Sequence, residues 1–316
     1  MPSNPMFHID PSPLQTYSTP ASQQQGLTLL IKMDHLRYLS AYPEDQALGG
    51  NKLRKLKFNI EDALRQKKGL LTFGGAFSNH IAAVASAGQW FQIPTIGIIR
   101  GEDHTNHNPT LQHAQRCGMK LQFINRTHYR LKSDPQYLSS LQKENPNYII
   151  IPEGGTNDLA LKGVGEIVRE INQQIPHAPI DYWITPVGTG GTLAGLITHL
   201  PRDSFAVGIS VLKGDFLTRE VQQLVKSPSI ANWEIIPDYH FGGYAKWTPT
   251  LIAYMRTLRQ ATRILTDPVY TGKLFYAVED LIAKNYFKKN STIMIVHTGG
   301  IQGIKGFQTQ WPHVIL

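Results

Sequence analysis

Residues 182–200 read YWITPVGTGGTLAGLITHL, and the fold turns on them. The apolar YWIT segment has the composition of a buried strand, and LAGLITHL has the spacing of a helix. Between them stand Gly188, Thr189, Gly190, Gly191 and Thr192. Glycines there let the backbone curl so that several N–H groups point inward, and the start of the following helix adds positive potential. Such a turn makes a cup for phosphate. No GK[ST] follows, so it is not a Walker A loop, and Leu193 occupies the third glycine position of GxGxxG. A compact phosphate monoester therefore suits it better than a nucleotide. The competing reading is that these glycines only permit close helix-to-strand packing.

Working outward, strand-like and helix-like segments alternate along most of the chain. Strands are expected at 27–32, 69–73, 95–99, 120–124, 148–152, 182–185 and 206–211, and 292–296 is expected to close the sheet. Helices are expected at 52–65, 79–91, 109–117, 137–145, 160–174 and 193–200, with 18–25 a polar loop. This rhythm predicts an α/β protein whose parallel sheets are flanked by helices. At 316 residues, two lobes fit better than one.

Two further glycine turns sit where a strand hands over to a helix, the place where α/β proteins bind ligands. In GGAFSNH (74–80), Ser78 or Asn79 can cap the helix, or receive a substrate carboxylate together with free N–H groups, with Asn79 also available to a polar cofactor substituent. His80 reads first as a helix-start residue, with a substrate contact as its second reading. In GGNK (49–52), two glycines bring the backbone close to a ligand and Lys52 follows at once. A lysine whose amine is partly neutral condenses with aldehydes. On spacing alone, Lys52, Lys55 and Lys57 are equal candidates, and all three also read as members of a solvated basic helix face with Arg54, Arg65, Lys67 and Lys68.

Composition excludes several alternatives. No apolar run approaches the roughly 20 residues of a membrane span. The opening MPSNPMFHIDPSPLQTY lacks the form of a secretory signal, so a cytosolic setting is expected. Cys117 is the single cysteine, which rules out an internal disulfide and any CxxC metal or redox motif; it is expected to be a packed thiol. The net charge of +8 raises nucleic-acid or simple phosphate-ligand binding as a non-enzymatic reading. The basic residues are scattered, however, and no nucleic-acid partner is expected.

Five ordered strings carry a more specific signal: GGNKLRKLKF, FGGAFSNHIAAVASAG, PVGTGGTLAGL, DPVYTGK and HTGGIQG. Together they resemble the 1-aminocyclopropane-1-carboxylate deaminase and D-cysteine desulfhydrase family, over nearly the whole chain. The resemblance implies a two-domain tryptophan-synthase-β-like fold, with 1–52 and 156–316 as the larger cofactor domain and 53–155 as a smaller inserted domain. It implies pyridoxal phosphate as cofactor, a small amino acid as substrate and a homodimer. By the same resemblance Lys52 is the Schiff-base lysine, the 188–192 loop holds the phosphate, Asn79 faces the cofactor's phenolic oxygen and Ser78 meets the substrate carboxylate. Tyr244, in FGGYAKW, and Tyr270, in DPVYTGK, match the family's two active-site tyrosines.

Within that family, ring-opening members resemble one another in a glutamate after the second tyrosine and a leucine before the last Gly-Gly, whereas desulfhydrases carry hydroxyl residues. This chain has Thr271 and Thr298. A hydroxyl opposite the pyridine nitrogen makes a weaker electron sink than a carboxylate does, which suits loss of a thiolate. The expected reaction is therefore β-elimination from D-cysteine, giving pyruvate, ammonia and hydrogen sulfide, with Lys52 or Tyr270 removing the α-proton. Ring opening, racemisation and β-replacement are the alternatives. Met33 and His35 depart from the more charged KRDDL-like string of relatives, which bears on substrate recognition.

Overall fold

A computed structural model of the protein describes residues 11–36, 47–103, 108–176, 178–226 and 231–314. The N-terminal stretch on which the signal-peptide reading rests lies mostly outside the described residues, as does 37–46 of the segment that follows Met33 and His35.

Strands β1 (Leu14–Tyr17) and β2 (Thr28–Lys32) flank a short helix α1 (Pro20–Gln24), where a loop was expected. Thr19 and Ser22 explain it: each side-chain oxygen accepts the other's backbone N–H, a reciprocal cap that lets one turn form in a polar stretch. Helix α2 (Asn51–Gln66) then leads to β3 (Gly69–Gly75), α3 (Asn79–Phe91), β4 (Thr95–Arg100), α4 (Pro109–Arg116), β5 (Lys120–Ile124), α5 (Arg126–Tyr129), α6 (Pro135–Glu144) and β6 (Tyr148–Ile151). Their four strands form one wholly parallel sheet in the order β5-β4-β3-β6. Asn108, Asp134 and Ser78 cap α4, α6 and α3 through their side chains, and the first two are followed by proline, whose missing N–H costs nothing at that position.

The chain continues through α7 (Asp158–Val164) and α8 (Glu166–Gln174), β7 (Tyr182–Val187), α9 (Gly191–His199), β8 (Phe205–Ser210), α10 (Phe216–Leu224), β9 (Asn232–Ile236), α11 (Pro249–Thr262), α12 (Thr271–Ala283), β10 (Thr292–Val296) and α13 (Gly303–Gln310). A six-stranded sheet runs β1-β2-β10-β7-β8-β9, parallel except where β1 meets β2. The single helix expected at 160–174 is split at Gly165, where a side chain would collide with the His199 ring. Strand β10 does not close the sheet; it lies inside it, between β2 and β7. All-apolar strands are buried on both faces, which is why their sequences read as runs rather than alternations. The large sheet accordingly has one apolar cluster with Ile293 and Ile295 and another with Met294 and Val296.

The basic helix face is the clearest correction. Arg54 and Lys55 are buried, at 0% and 2% exposure. Arg54 is gripped by Asp34 on one side and Glu170 on the other, each through two hydrogen bonds, and Lys32 joins Glu170 at 3.0 Å. This ionic cluster ties α2 to β2 and α8. Gly163 makes the approach of α7 possible, because a Cβ there would lie 1.9 Å from the Arg54 carbonyl oxygen. Cys117 is partly buried with its sulfur 3.5 Å from His113 Nε2. Among the described residues no helix is long and apolar enough to cross a membrane, and no three potential metal ligands cluster.

Candidate functional site

The C-terminal ends of β3 and β7 open toward a shared cavity of about 430 Å³. Its floor is the turn between β7 and α9. Gly190 has φ +76°, a left-handed conformation that costs other residues free energy, and it turns the chain sharply into α9. A Cβ at Gly188 would lie 3.1 Å from the Tyr270 ring; one at Gly191 would lie 2.7 Å from Thr156 Oγ1 and 2.9 Å from Lys55 Nζ. The glycines thus keep open a space that side chains would fill. Close packing, the competing reading, holds for Gly190, where a Cβ would lie 2.7 Å from Val221 Cγ2 of α10, and for Gly195, whose Cβ would meet Val164 of α7.

Two lysines on α2 reach this space because residues three apart share a helix face. Lys52 Nζ donates to Asn51 Oδ1 at 3.2 Å. Burial pulls its pKa down to about 8, against the opposing attraction of Asp267. Lys55 has a different position: its Nζ donates to the Gly154 carbonyl and, at 3.0 Å, to Thr156 Oγ1, beside Gly191. Burial, reinforced by Lys52, lowers its pKa well below that of a free lysine. Lys57 points elsewhere, to Glu166. The N-terminus of α2 is pinned to the last glycine turn: Asn51 N–H donates to the Thr298 carbonyl, and Asn51 Nδ2 donates to Thr192 Oγ1 at 3.1 Å.

The opposite wall comes from β3 and α3. Ser78 caps α3, its Oγ accepting from the N–H groups of His80 and Ile81, so its own hydroxyl proton remains available. Asn79 lies against the glycine turn after β10, 3.2 Å from where a Gly300 Cβ would stand. His80 is buried rather than exposed at the helix start. Its Nε2 is 2.8 Å from Thr72 Oγ1, while Nδ1 has no partner among the described residues. Burial and the nearby Lys52 and Lys55 keep it neutral. A buried nitrogen without a partner, on a residue lining the cavity, is a polar contact that a ligand can complete.

Tyr270 and Tyr244 meet edge-to-face, ring centroids 6.2 Å apart. Burial raises the pKa of both, so both are protonated at neutral pH. The loop carrying Tyr244 is held by Lys273, which donates to the carbonyls of His240 and Gly243.

Two placements depart from the sequence reading. Thr271 does not line the cavity; its Oγ1 donates to Asp267 Oδ2 at 2.8 Å and is wholly buried. Asp267 does line it, accepting from the N–H groups of Val269, Tyr270 and Thr271 as well as from the threonine hydroxyl. The signal for Asp267 was present in the DPVY string, because an aspartate followed by proline favours a turn in which its side chain accepts backbone N–H groups two and three residues on. Lys55 could have been singled out by its i,i+3 relation to Lys52. Of the residues that the family resemblance places in the site, all but Thr271 border this one cavity, including Thr298.

These residues fit pyridoxal phosphate. The glycine cup with Lys55 at its side can hold a phosphate monoester, and Lys52 has an amine suited to a carbonyl carbon.

Comparison with known proteins agrees with that fit. Residues 6–299 match the family model described as pyridoxal-phosphate dependent enzyme. A relative from Pyrococcus horikoshii, provisionally named 1-aminocyclopropane-1-carboxylate deaminase, is 30% identical over 303 residues, covering 92% of this chain and 90% of its own. A Thermotoga maritima protein of the same provisional name is 27% identical, covering 94% and 96%. Among solved structures, one described as an ACC deaminase homologue superposes with a TM-score of 0.78 at 27% identity, covering 96% of this chain and 94% of that one. Serine racemase from Dictyostelium discoideum shares the fold at TM-score 0.64 and 18% identity, covering 93% of each chain.

Proposed function

The chain belongs to the pyridoxal-phosphate-dependent enzyme family, and we propose that within it the protein is a deaminating lyase that converts a small amino acid to a 2-oxo acid and ammonia. One observation carries the reading: an amine with a pKa of about 8, a glycine cup and a carboxylate-sized turn face one another across a single cavity. When bound, the cofactor supplies an electron sink that stabilises negative charge at the substrate α-carbon.

The residues of this chain divide the remaining work. Lys52 holds the cofactor and then serves as base, because its amine is already partly neutral at pH 7, whereas Tyr270 keeps its proton. Tyr270 and Tyr244 therefore act as acids. The Ser78 hydroxyl and the N–H groups at the start of α3 receive the α-carboxylate, with Asn79 and His80 alongside. Lys55 faces the phosphate cup, and Thr298 faces the ring. The protein is proposed to work in the cytosol as a homodimer, with 53–155 as the smaller domain.

Two substrates remain, each with its own support. The names of the Pyrococcus and Thermotoga relatives favour 1-aminocyclopropane-1-carboxylate, whose opening gives 2-oxobutanoate and ammonia. Thr298 on the cavity wall, where ring-opening members carry leucine, favours D-cysteine. The Thr271 half of that second argument is weakened, because its hydroxyl is committed to Asp267. The test is a parallel assay of the cofactor-loaded protein: 2-oxobutanoate from the cyclopropane, and pyruvate with sulfide from D-cysteine. A 2-oxo acid from one substrate selects that reading; a racemised or β-substituted product with no ammonia would sink both.

A further inference from the structure

The cavity is lined by a third cation that neither the phosphate cup nor the carbonyl-reactive lysine accounts for. Of its cations, Lys52 stands ready for the cofactor carbonyl and Lys55 is fixed beside the cup. The third is Arg100, at the end of β4, in register with Gly75 and 3.5 Å from where a Gly75 Cβ would stand. It lies beside the start of the turn that carries Ser78 and lines the same cavity. Among the described residues its guanidinium forms no ion pair and no hydrogen bond; it rests over the Tyr129 ring, 5.6 Å from the centroid.

The acids bordering the cavity do not neutralise it. Asp267 is saturated by the start of α12. Glu153 accepts from the Tyr129 hydroxyl at 2.7 Å and pairs with Lys132 at 3.5 Å. Tyr129 thus does two things at once: its face supports Arg100 and its hydroxyl donates to Glu153. A guanidinium is a planar fork that matches an oxyanion through two parallel hydrogen bonds, and one poised on an aromatic ring loses little freedom on binding.

We propose that Arg100 reads a second, distal anionic group on the substrate, so that the preferred amino acids carry a side chain ending in carboxylate, sulfate or phosphate. The proposal rests on the amino-acid-lyase reading for the placement of the α-carboxylate at Ser78. It narrows the deaminating-lyase reading to acidic amino acids, and so stands against both 1-aminocyclopropane-1-carboxylate and D-cysteine as the preferred substrate, since neither carries a distal group of this kind.

The test uses the cofactor-loaded enzyme and aspartate against asparagine, near-isosteres that differ in distal charge, in both enantiomers. Neither needs to be turned over, since binding is followed by the change in the cofactor's visible absorption. Wild type should bind aspartate about tenfold more tightly, the lower end for a charge-assisted hydrogen bond because this side of the cavity is open to water. R100M should erase the preference and R100K should retain part of it, with thermal melting showing that both variants are folded. No preference in wild type overturns the proposal. So does an R100M variant that keeps the preference, or one that weakens both ligands equally, which would assign Arg100 to the α-carboxylate. Failure of the lyase reading shows separately, as absence of a 2-oxo acid in product assays while the absorption titration still discriminates.

Discussion

The Lys52 amine should titrate far below an ordinary lysine, and the structure fixes how that would be seen. Burial sets its pKa at about 8 despite the pull of Asp267. The neutral fraction is then about 9% at pH 7 and about 91% at pH 9, a roughly tenfold rise that flattens above pH 8. A solvated lysine would go from about 0.03% to about 3%, a 100-fold rise with no plateau in that range. The assay is reductive trapping of pyridoxal phosphate on the apoprotein, with initial rates at Lys52 and at surface lysines read by mass spectrometry of the same digests. Lys52 should label several-hundred-fold faster than surface sites at pH 7 and reach its plateau near pH 8.5. A Lys52 rate that keeps rising tenfold per pH unit to pH 9 would refute the argument from burial. In K52A the fast-labelling site should vanish; its persistence at Lys55 would show that the two lysines exchange roles.

G191A should weaken binding of the cofactor, read by fluorescence titration, by about tenfold or more, since the new methyl group would crowd both Thr156 Oγ1 and Lys55 Nζ; unchanged affinity would mean that the cup is not where phosphate sits. R54M should cost about 3–5 kcal/mol in urea unfolding, because Asp34 and Glu170 would each lose two charge-assisted hydrogen bonds to a buried guanidinium; a loss under about 1 kcal/mol would mean that the cluster is better solvated than its burial implies.

The parts of the site that were legible in the sequence are those that depend on neighbours along the chain. A strand, a glycine turn and a helix at 182–200 follow from local composition, and Gly49 and Gly50 mark Lys52 because close backbone approach needs residues without side chains. The alternation of strands and helices likewise dictates parallel sheets. Elements β1, α5, β9 and α10 to α13 were not recovered, and Pro20–Gln24 was mistaken for loop, since a short polar helix owes its existence to one cap rather than to a periodic pattern.

What tertiary structure alone decided is the division of labour among residues of the same type. Arg54, Lys55 and Lys57 look alike in a basic run, yet one is buried between two acids, one lines the cavity and one faces Glu166. Thr271 and Thr298 look equivalent as hydroxyls, yet only Thr298 borders the cavity. Asp267 and Arg100 drew no notice in the sequence and supply the site with an acid that is already spoken for and a cation that, among the described residues, rests only on the Tyr129 ring. The physical reason is common to all of these cases. A charged or polar side chain takes its role from desolvation and from the partners brought within about 3–4 Å of it, and those partners come from segments far away in the chain.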